Sequence, residues 1–296
     1  MKVPVILDTD IGYDIDDTWA LALLLKSPEV DLKLVVSDTH DTTYSAKLLA
    51  KFLTVAGRTD VPVGVGIKQD DEAGGQTPWV EGYDLASYPG PVHRDGVGAL
   101  IDTIMTSAEP VTLLCIGPVP NIAAALEREP RIAERARFVG MHGSLRLGYD
   151  GKPEIAKEYN CTAFPEACQK VFTAPWEMTI TPLDTCGLVT LRGHKYQQIL
   201  ASKDPITQAV VENYRIWCDF GERDHEYWKH QSSTLFDTVA AYLTFSRELL
   251  VMECLGVRVT DDGYTVIDEA AKRMNCAMGW KDLGGFEDSL VRRLTE

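Results

Sequence analysis

The chain reads as an α/β protein: a mostly parallel central sheet flanked by helices, with a helical C-terminal part. Three features predict this. Short apolar, strand-like runs alternate with helix-periodic segments through the first two thirds of the sequence. The runs are near-continuously apolar, as strands covered on both faces are. Acids and amides recur just beyond their ends, where open sheets of this kind collect ligands. With no internal repeat or low-complexity tract, one continuous domain over residues 1–296 is expected.

The elements follow in order. Val3-Pro4-Val5-Ile6-Leu7 is a buried strand, followed by an acidic loop and an apolar helix from about Thr18 to Leu25. Leu32 to Ser37 is the second strand, and Tyr44, Leu48, Leu49, Phe52 and Leu53 mark a helical face after it. Val61–Val65 is the third. Residues 68–92, rich in Gly, Pro and charge, form an excursion over the strand ends. Leu100, Ile104 and Met105 mark a helix before the strand Val111–Ile116, and the turn Gly117-Pro118-Val119-Pro120-Asn121 feeds the helix Ile122–Leu126. Phe138–Met141 and Met178–Leu183 are further strands, with a helix around Pro165 to Phe172 between them. Residues 190–250 are mostly helical in pattern, ending in the run Thr238–Phe245, and 251–267 form a hairpin around Asp261-Asp262-Gly263.

The formal net charge of −15 argues against nucleic-acid polymers and anionic membranes as partners. No glycine-rich phosphate-binding fingerprint follows any strand. Seven cysteines without a C-x-x-C pair fit reduced, mostly buried thiols. No cleavable apolar leader is present, and no run approaches the ~18 apolar residues of a membrane span. A soluble cytoplasmic protein acting on a small molecule is expected.

Asp8, Asp10, Asp14, Asp16 and Asp17 crowd the loop between the first strand and helix. Like charges this close repel, so a folded chain holds them together only with a compensator. A hard divalent cation with oxygen ligands, Ca²⁺ or Mg²⁺ rather than zinc, is the natural one. The plain alternative is a solvated acidic loop at a helix N-terminus. Other polar groups follow other strands: Ser37 to Asp41, Gly117 to Asn121, Glu158-Tyr159-Asn160, Asp184, and Asp237 behind Leu235-Phe236. Each alone is an ordinary turn or cap residue. Together they make a polar rim suited to a metal and a polyhydroxylated ligand.

Asp8-Thr9-Asp10-Ile11-Gly12-Tyr13-Asp14-Ile15-Asp16-Asp17 resembles the signature of the inosine-uridine preferring, calcium-dependent nucleoside hydrolases. The resemblance extends in order through Ala56 to Val63, Asp95-Gly96, Ile116 to Asn121, Glu158-Tyr159-Asn160 and Phe236-Asp237. It implies cleavage of the N-glycosidic bond of a ribonucleoside to ribose and free base. It also implies one Ca²⁺ held by Asp10, Asp17, the carbonyl of Pro120 and Asp237, with Asp10 deprotonating a calcium-bound water that attacks the anomeric carbon. Asp16, Asp41, Glu158 and Asn160 match positions that grip ribose hydroxyls. Assembly as a homo-oligomer and a role in nucleoside salvage are implied by the resemblance alone.

The departures matter. Two extra residues precede Asp16-Asp17, so Asp14 competes with Asp16 for the ribose. Phe164 stands where the family carries an aspartate before Pro165. Phe236 stands where a histidine often protonates the leaving base, and a phenylalanine donates no proton. His230 and His225 are the replacements expected from upstream, since His is the best neutral-pH acid. Trp79, Trp228, Tyr83 and Trp217 are candidates to stack a base. Asp38, His40 and Asp184 are expected as supporting or turn residues, and His93 as an exposed turn histidine. Two other functions stand beside the leading one. One is a non-catalytic ribose or nucleoside binder on the same scaffold. The other is a haloacid-dehalogenase-like phosphatase, for which Leu7-Asp8-Thr9-Asp10 resembles the nucleophile loop but no basic partner is evident.

Overall fold

The computed structural model describes residues 2–72, 74–221 and 223–296. Ten strands form one sheet: β1 (Val3–Thr9), β2 (Val30–Ser37), β3 (Val63–Val65), β4 (Val92–His93), β5 (Val111–Cys115), β6 (Ala136–Met141), β7 (Met178–Thr181), β8 (Leu250–Val259), β9 (Thr265–Ile267) and β10 (Arg273–Trp280). Their spatial order is β4-β3-β2-β1-β5-β6-β7-β10-β8-β9. Pairing is parallel from β4 through to β10, and only β8 and β9 run antiparallel to their neighbours. Strand order reverses between β1 and β5, so the crevice beyond their carboxyl ends is the topological switch point.

The two-residue period of β1 divides the core. Val5 and Leu7 enter one apolar cluster and Ile6 enters the other, with Leu34 and Val36 of β2. The first helix, Asp16–Leu25, is buried from Asp16 to Leu24. Its sequence is apolar all round, as a helix packed inside a molecule must be. It lies against the later helix Phe236–Leu243, and this contact between distant segments builds the site.

The expected strands and the hairpin at Asp261-Asp262-Gly263 are present. Two strands lie outside the sequence expectation. β4 is only two residues long, and β10 inserts between β7 and β8. The sequence of β10, RMNCAMGW, mixes charge, amide and glycine, so it shows neither an alternating nor an apolar pattern. Between β7 and β8 the chain is helical, as expected: Gly193–Ala201, Pro205–Cys218 and Phe236–Leu243, with Leu283–Thr295 closing the chain. No helix among the described residues is long and apolar enough to cross a membrane.

Candidate active site

The acidic loop leaves β1 at the switch point. Asp8 is fully buried, where it accepts hydrogen bonds from Asn121 Nδ2 at 3.0 Å and from the Cys115 thiol. Burial pushes Asp8 up to about 7. Thr9 Oγ1 donates to the Asp17 carboxylate and so fixes its orientation. Gly12 sits at φ +112°, and a side chain there would strike Leu48 and Tyr44, so only glycine closes the loop over the helix Thr42–Val55.

Asp16 and Asp17 occupy the first turn of their helix, and Asp237 the first turn of Phe236–Leu243. The Asp237 amide donates to Asp16 Oδ2 at 3.1 Å across 221 residues of sequence. One carboxylate oxygen from each of Asp16, Asp17 and Asp237 lies within 4.8 Å of the others. All three are buried, and burial together with mutual repulsion holds them well above the ordinary carboxylate range. Among the described residues no Lys or Arg lines the cavity they face. An oxygen-only, uncompensated, buried donor set of this kind fits a hard divalent cation.

Asp10 lies in the same cavity. Burial, and then repulsion from Asp14, Asp8 and Glu158, pushes it up to about 7. Its carboxylate packs against Gly117, where a Cβ would meet Asp10 Oδ1 at 2.7 Å. The cavity encloses about 110 Å³ and is also lined by Asp14, Tyr149, Glu158, Tyr159, Asn160 and Phe236. Glu158 accepts hydrogen bonds from the amides of Gly143, Asn160 and Cys161. Asn160 commits both amide protons to the carbonyls of Ile116 (3.0 Å) and Met141 (2.9 Å), which leaves Oδ1 as the group available to a hydroxyl. A second cavity of about 330 Å³ adjoins through Asp14 and Phe236 and carries Trp217, Arg223 and Tyr227. The Arg223 guanidinium stacks 4.0 Å over the Trp217 ring.

The structure thus brings together Asp10, Asp14, Asp16, Asp17, Glu158, Asn160 and Asp237. Several expected residues lie elsewhere. Asp16 is not one of them: it lines the cavity as expected and also groups with Asp17 and Asp237, while the more exposed Asp14 borders both cavities. Pro120 opens the helix Pro120–Arg128 and is not part of the cavity lining. Asp41 caps the helix Thr42–Val55 by accepting from Thr43 and Tyr44, and it faces Lys68. His225 is exposed and paired with Asp219, and His230 is exposed at the end of the short turn Tyr227–Lys229; neither lines either cavity. Trp79 is buried, with its indole N–H on Glu212 and Lys51 over its ring. Trp228 borders a different cavity beside Leu200 and Arg215. Asp184 accepts from the amides of Leu145, Arg146 and Leu147 and so shapes a turn, as expected.

Two lining residues escaped the sequence argument. Tyr159 stands between two residues already singled out, Glu158 and Asn160, and that position was a usable signal. Tyr149 belongs to an irregular turn with no periodic cue, and its ring meets Phe236 edge-on at 6.1 Å. The phosphatase alternative fails here. Its chemistry needs a Lys or Arg to screen the phosphate, and among the described residues none lines the Asp10 cavity.

The fold and site define a carboxylate-rich hydrolase pocket at the switch point of a parallel sheet. The family model of the inosine-uridine preferring nucleoside hydrolases matches residues 5–283, and the chain belongs to that family. It is accordingly an enzyme that hydrolyses the N-glycosidic bond of ribonucleosides. It is 30% identical over 320 residues to the pyrimidine-specific ribonucleoside hydrolase RihA of Enterobacter sp. (strain 638), covering 100% of this chain and 99% of the relative. It is 29% identical over 314 residues to RihA of Escherichia coli O7:K1, covering 99% of each. Among solved structures, the plant nucleoside hydrolase PpNRh1 superposes with a TM-score of 0.80 at 22% identity, over 100% of this chain and 99% of that one. The inosine-uridine preferring enzyme of Bacillus anthracis gives 0.77 at 20%, over 99% of this chain and 100% of that one. At such identities these structures speak for the fold.

Proposed function

We propose that this chain cleaves pyrimidine ribonucleosides using one Ca²⁺ held by Asp16, Asp17 and Asp237, with Asp10 as the general base. The observation that carries the reading is the convergence of three buried carboxylates, from two helices far apart in sequence, beside a fourth carboxylate at the switch point. When bound, the cation neutralises the cluster and makes a coordinated water more acidic. Asp10, which lines the same cavity as the carboxylate trio, then takes the proton of the attacking water. Asp14, Glu158 and Asn160 grip the ribose hydroxyls, and the surrounding carboxylates stabilise positive charge as the anomeric centre becomes oxocarbenium-like. The base sits at the junction of the two cavities, beside Asp14 and Phe236, with Trp217 and Tyr227 beyond it. Pyrimidine preference rests on the specificity named for the RihA relatives.

A reducing-sugar assay over a panel of ribonucleosides, with and without a calcium-selective chelator, tests all of this together. Sugar release from uridine and cytidine that stops on chelation is expected. Purine preference would overturn the substrate assignment, and turnover unaffected by chelation would overturn the role of the metal. A cytoplasmic enzyme of nucleoside salvage, assembled as a homo-oligomer, completes the proposal. Light scattering of the purified protein tests the assembly.

A further inference from the structure

Phe236 leaves the departing base without the usual proton donor, and the remaining wall of the cavity supplies another. We propose that Tyr159, backed by His40 and Asp70, hands the proton to the leaving base; the proposal rests on the hydrolase reading above. Tyr159 lines the Asp10 cavity, and its hydroxyl lies 3.0 Å from His40 Nε2. His40 Nδ1 lies 2.9 Å from Asp70 Oδ2. A carboxylate, an imidazole and a phenol are therefore strung in one line that ends at the substrate cavity.

The backbone holds this line in place. Thr39 and His40 both sit at positive φ, +58° and +47°, a region that non-glycine residues avoid and that recurs at functional sites. The Tyr13 ring packs on the imidazole at 4.4 Å between centroids, and the Tyr13 hydroxyl donates to the Glu72 carbonyl, tying the loop that carries Asp70 to the site. The groups facing the imidazole are Asp70, Glu72 at 3.8 Å, Tyr13 and Tyr159. His40, Asp70 and Glu72 could as a set be read as metal ligands. Both imidazole nitrogens are already engaged, one by Asp70 and one by Tyr159, which favours a relay. The other cavity phenol, Tyr149, accepts from the Tyr159 amide and has no imidazole behind it among the described residues.

The relay starts from the doubly protonated imidazole, whose Nδ1–H donates to Asp70 and whose Nε2–H donates to the phenol oxygen, leaving the phenol's own proton for the base. As the C1′–N bond breaks, its electron pair goes to the base and Tyr159 gives its proton to the base. The His40 Nε2 proton moves to the phenol oxygen in the same event, so no free phenolate forms. The neutral imidazole then recovers a proton from solvent, to which the partly exposed His40 has access. The attacking water completes ribose and leaves its proton on Asp10. Tyr159 is thus the catalytic acid, and His40 and Asp70 position and resupply it.

The test compares a nucleoside, uridine, with p-nitrophenyl β-D-riboside, whose leaving group departs as a stable anion and needs no proton. Variants Tyr159→Phe and His40→Gly are used, the latter because glycine accepts the positive φ. For both, the ratio of kcat on uridine to kcat on the aryl riboside should fall about 100-fold or more, with KM little changed. Added imidazole should restore His40→Gly on uridine. Equal losses on the two substrates, or no loss on uridine, would overturn the relay while leaving the hydrolase intact. Wild-type protein inactive on both substrates would overturn the hydrolase reading, and the relay with it.

Discussion

Gly117→Ala probes how finely Asp10 is placed. A Cβ at residue 117 would meet Asp10 Oδ1 at 2.7 Å, Asp10 Cγ at 3.0 Å and the Asp10 amide nitrogen at 3.0 Å, whereas ordinary contact begins at 3.4 Å. The carboxylate must therefore retreat by about 0.7 Å, and the backbone contact prevents a simple rotation from absorbing all of it. Misplacing a catalytic group by roughly 1 Å costs on the order of 100-fold in rate, or about 2.7 kcal/mol in the barrier. Overpacking should also lower stability by about 1–3 kcal/mol. Steady-state turnover of uridine, alongside a thermal melt in saturating calcium, reads both quantities. A folded Gly117→Ala enzyme with wild-type kcat would refute the claim that the contact with Gly117 sets the position of the base.

Other substitutions separate the remaining roles. Asp10→Asn keeps the shape and removes the base, so kcat should fall by about 10²–10⁴ with the melt nearly unchanged, and retained turnover would assign the proton transfer elsewhere. Asn160→Ala strips two buried carbonyls, those of Ile116 and Met141, of their partner. It should destabilise by about 1–3 kcal/mol and weaken substrate binding; an unchanged denaturant midpoint and KM would contradict that. His142 is fully buried beside the rings of Phe138 and Phe172, and burial pushes it down to about 3, so it folds in the neutral form. The unfolded chain binds that proton below about 6.5, so the stability it contributes is present above that pH and is lost on acidification. The loss attributable to it is roughly 2 kcal/mol between pH 7 and pH 5, and His142→Asn should flatten the pH dependence of the unfolding free energy from urea titrations by that amount. Parallel wild-type and variant curves would show that His142 is not the titrating group.

Much of the architecture is legible because its signals are local. β1, β2, β5 and β6 are buried on both faces and so are written as apolar runs, and the acidic loop follows the first of them directly. β10 is not legible, since its place between β7 and β8 is set by long-range pairing rather than by its own residues. Within the site, the sequence identifies the carboxylates but not their grouping. Asp16 joins Asp237 because two helix N-termini meet there, and no local pattern reports such a meeting. The tryptophans were ambiguous for a similar reason. Trp79 lies in a one-turn helix, too short for periodicity to assign a face, and it packs inward near Phe52. Trp217, in the last turn of a long helix, reaches the carbonyl of Tyr13 beside the acidic loop. His225 and His230 lie in an irregular segment whose sequence has no periodicity to show which way they face. His40 instead meets the lining residue Tyr159, a contact that spans 119 residues.

The dependence of folding and turnover on the carboxylate trio is most directly measured by titrating calcium calorimetrically into chelator-stripped protein, wild type and Asp237→Asn, while following uridine hydrolysis. One ion per chain, turnover that rises with occupancy, and affinity at least about 100-fold weaker in the variant are expected. Full turnover of the stripped wild-type protein in excess chelator, with no calcium bound, would contradict the account at its centre.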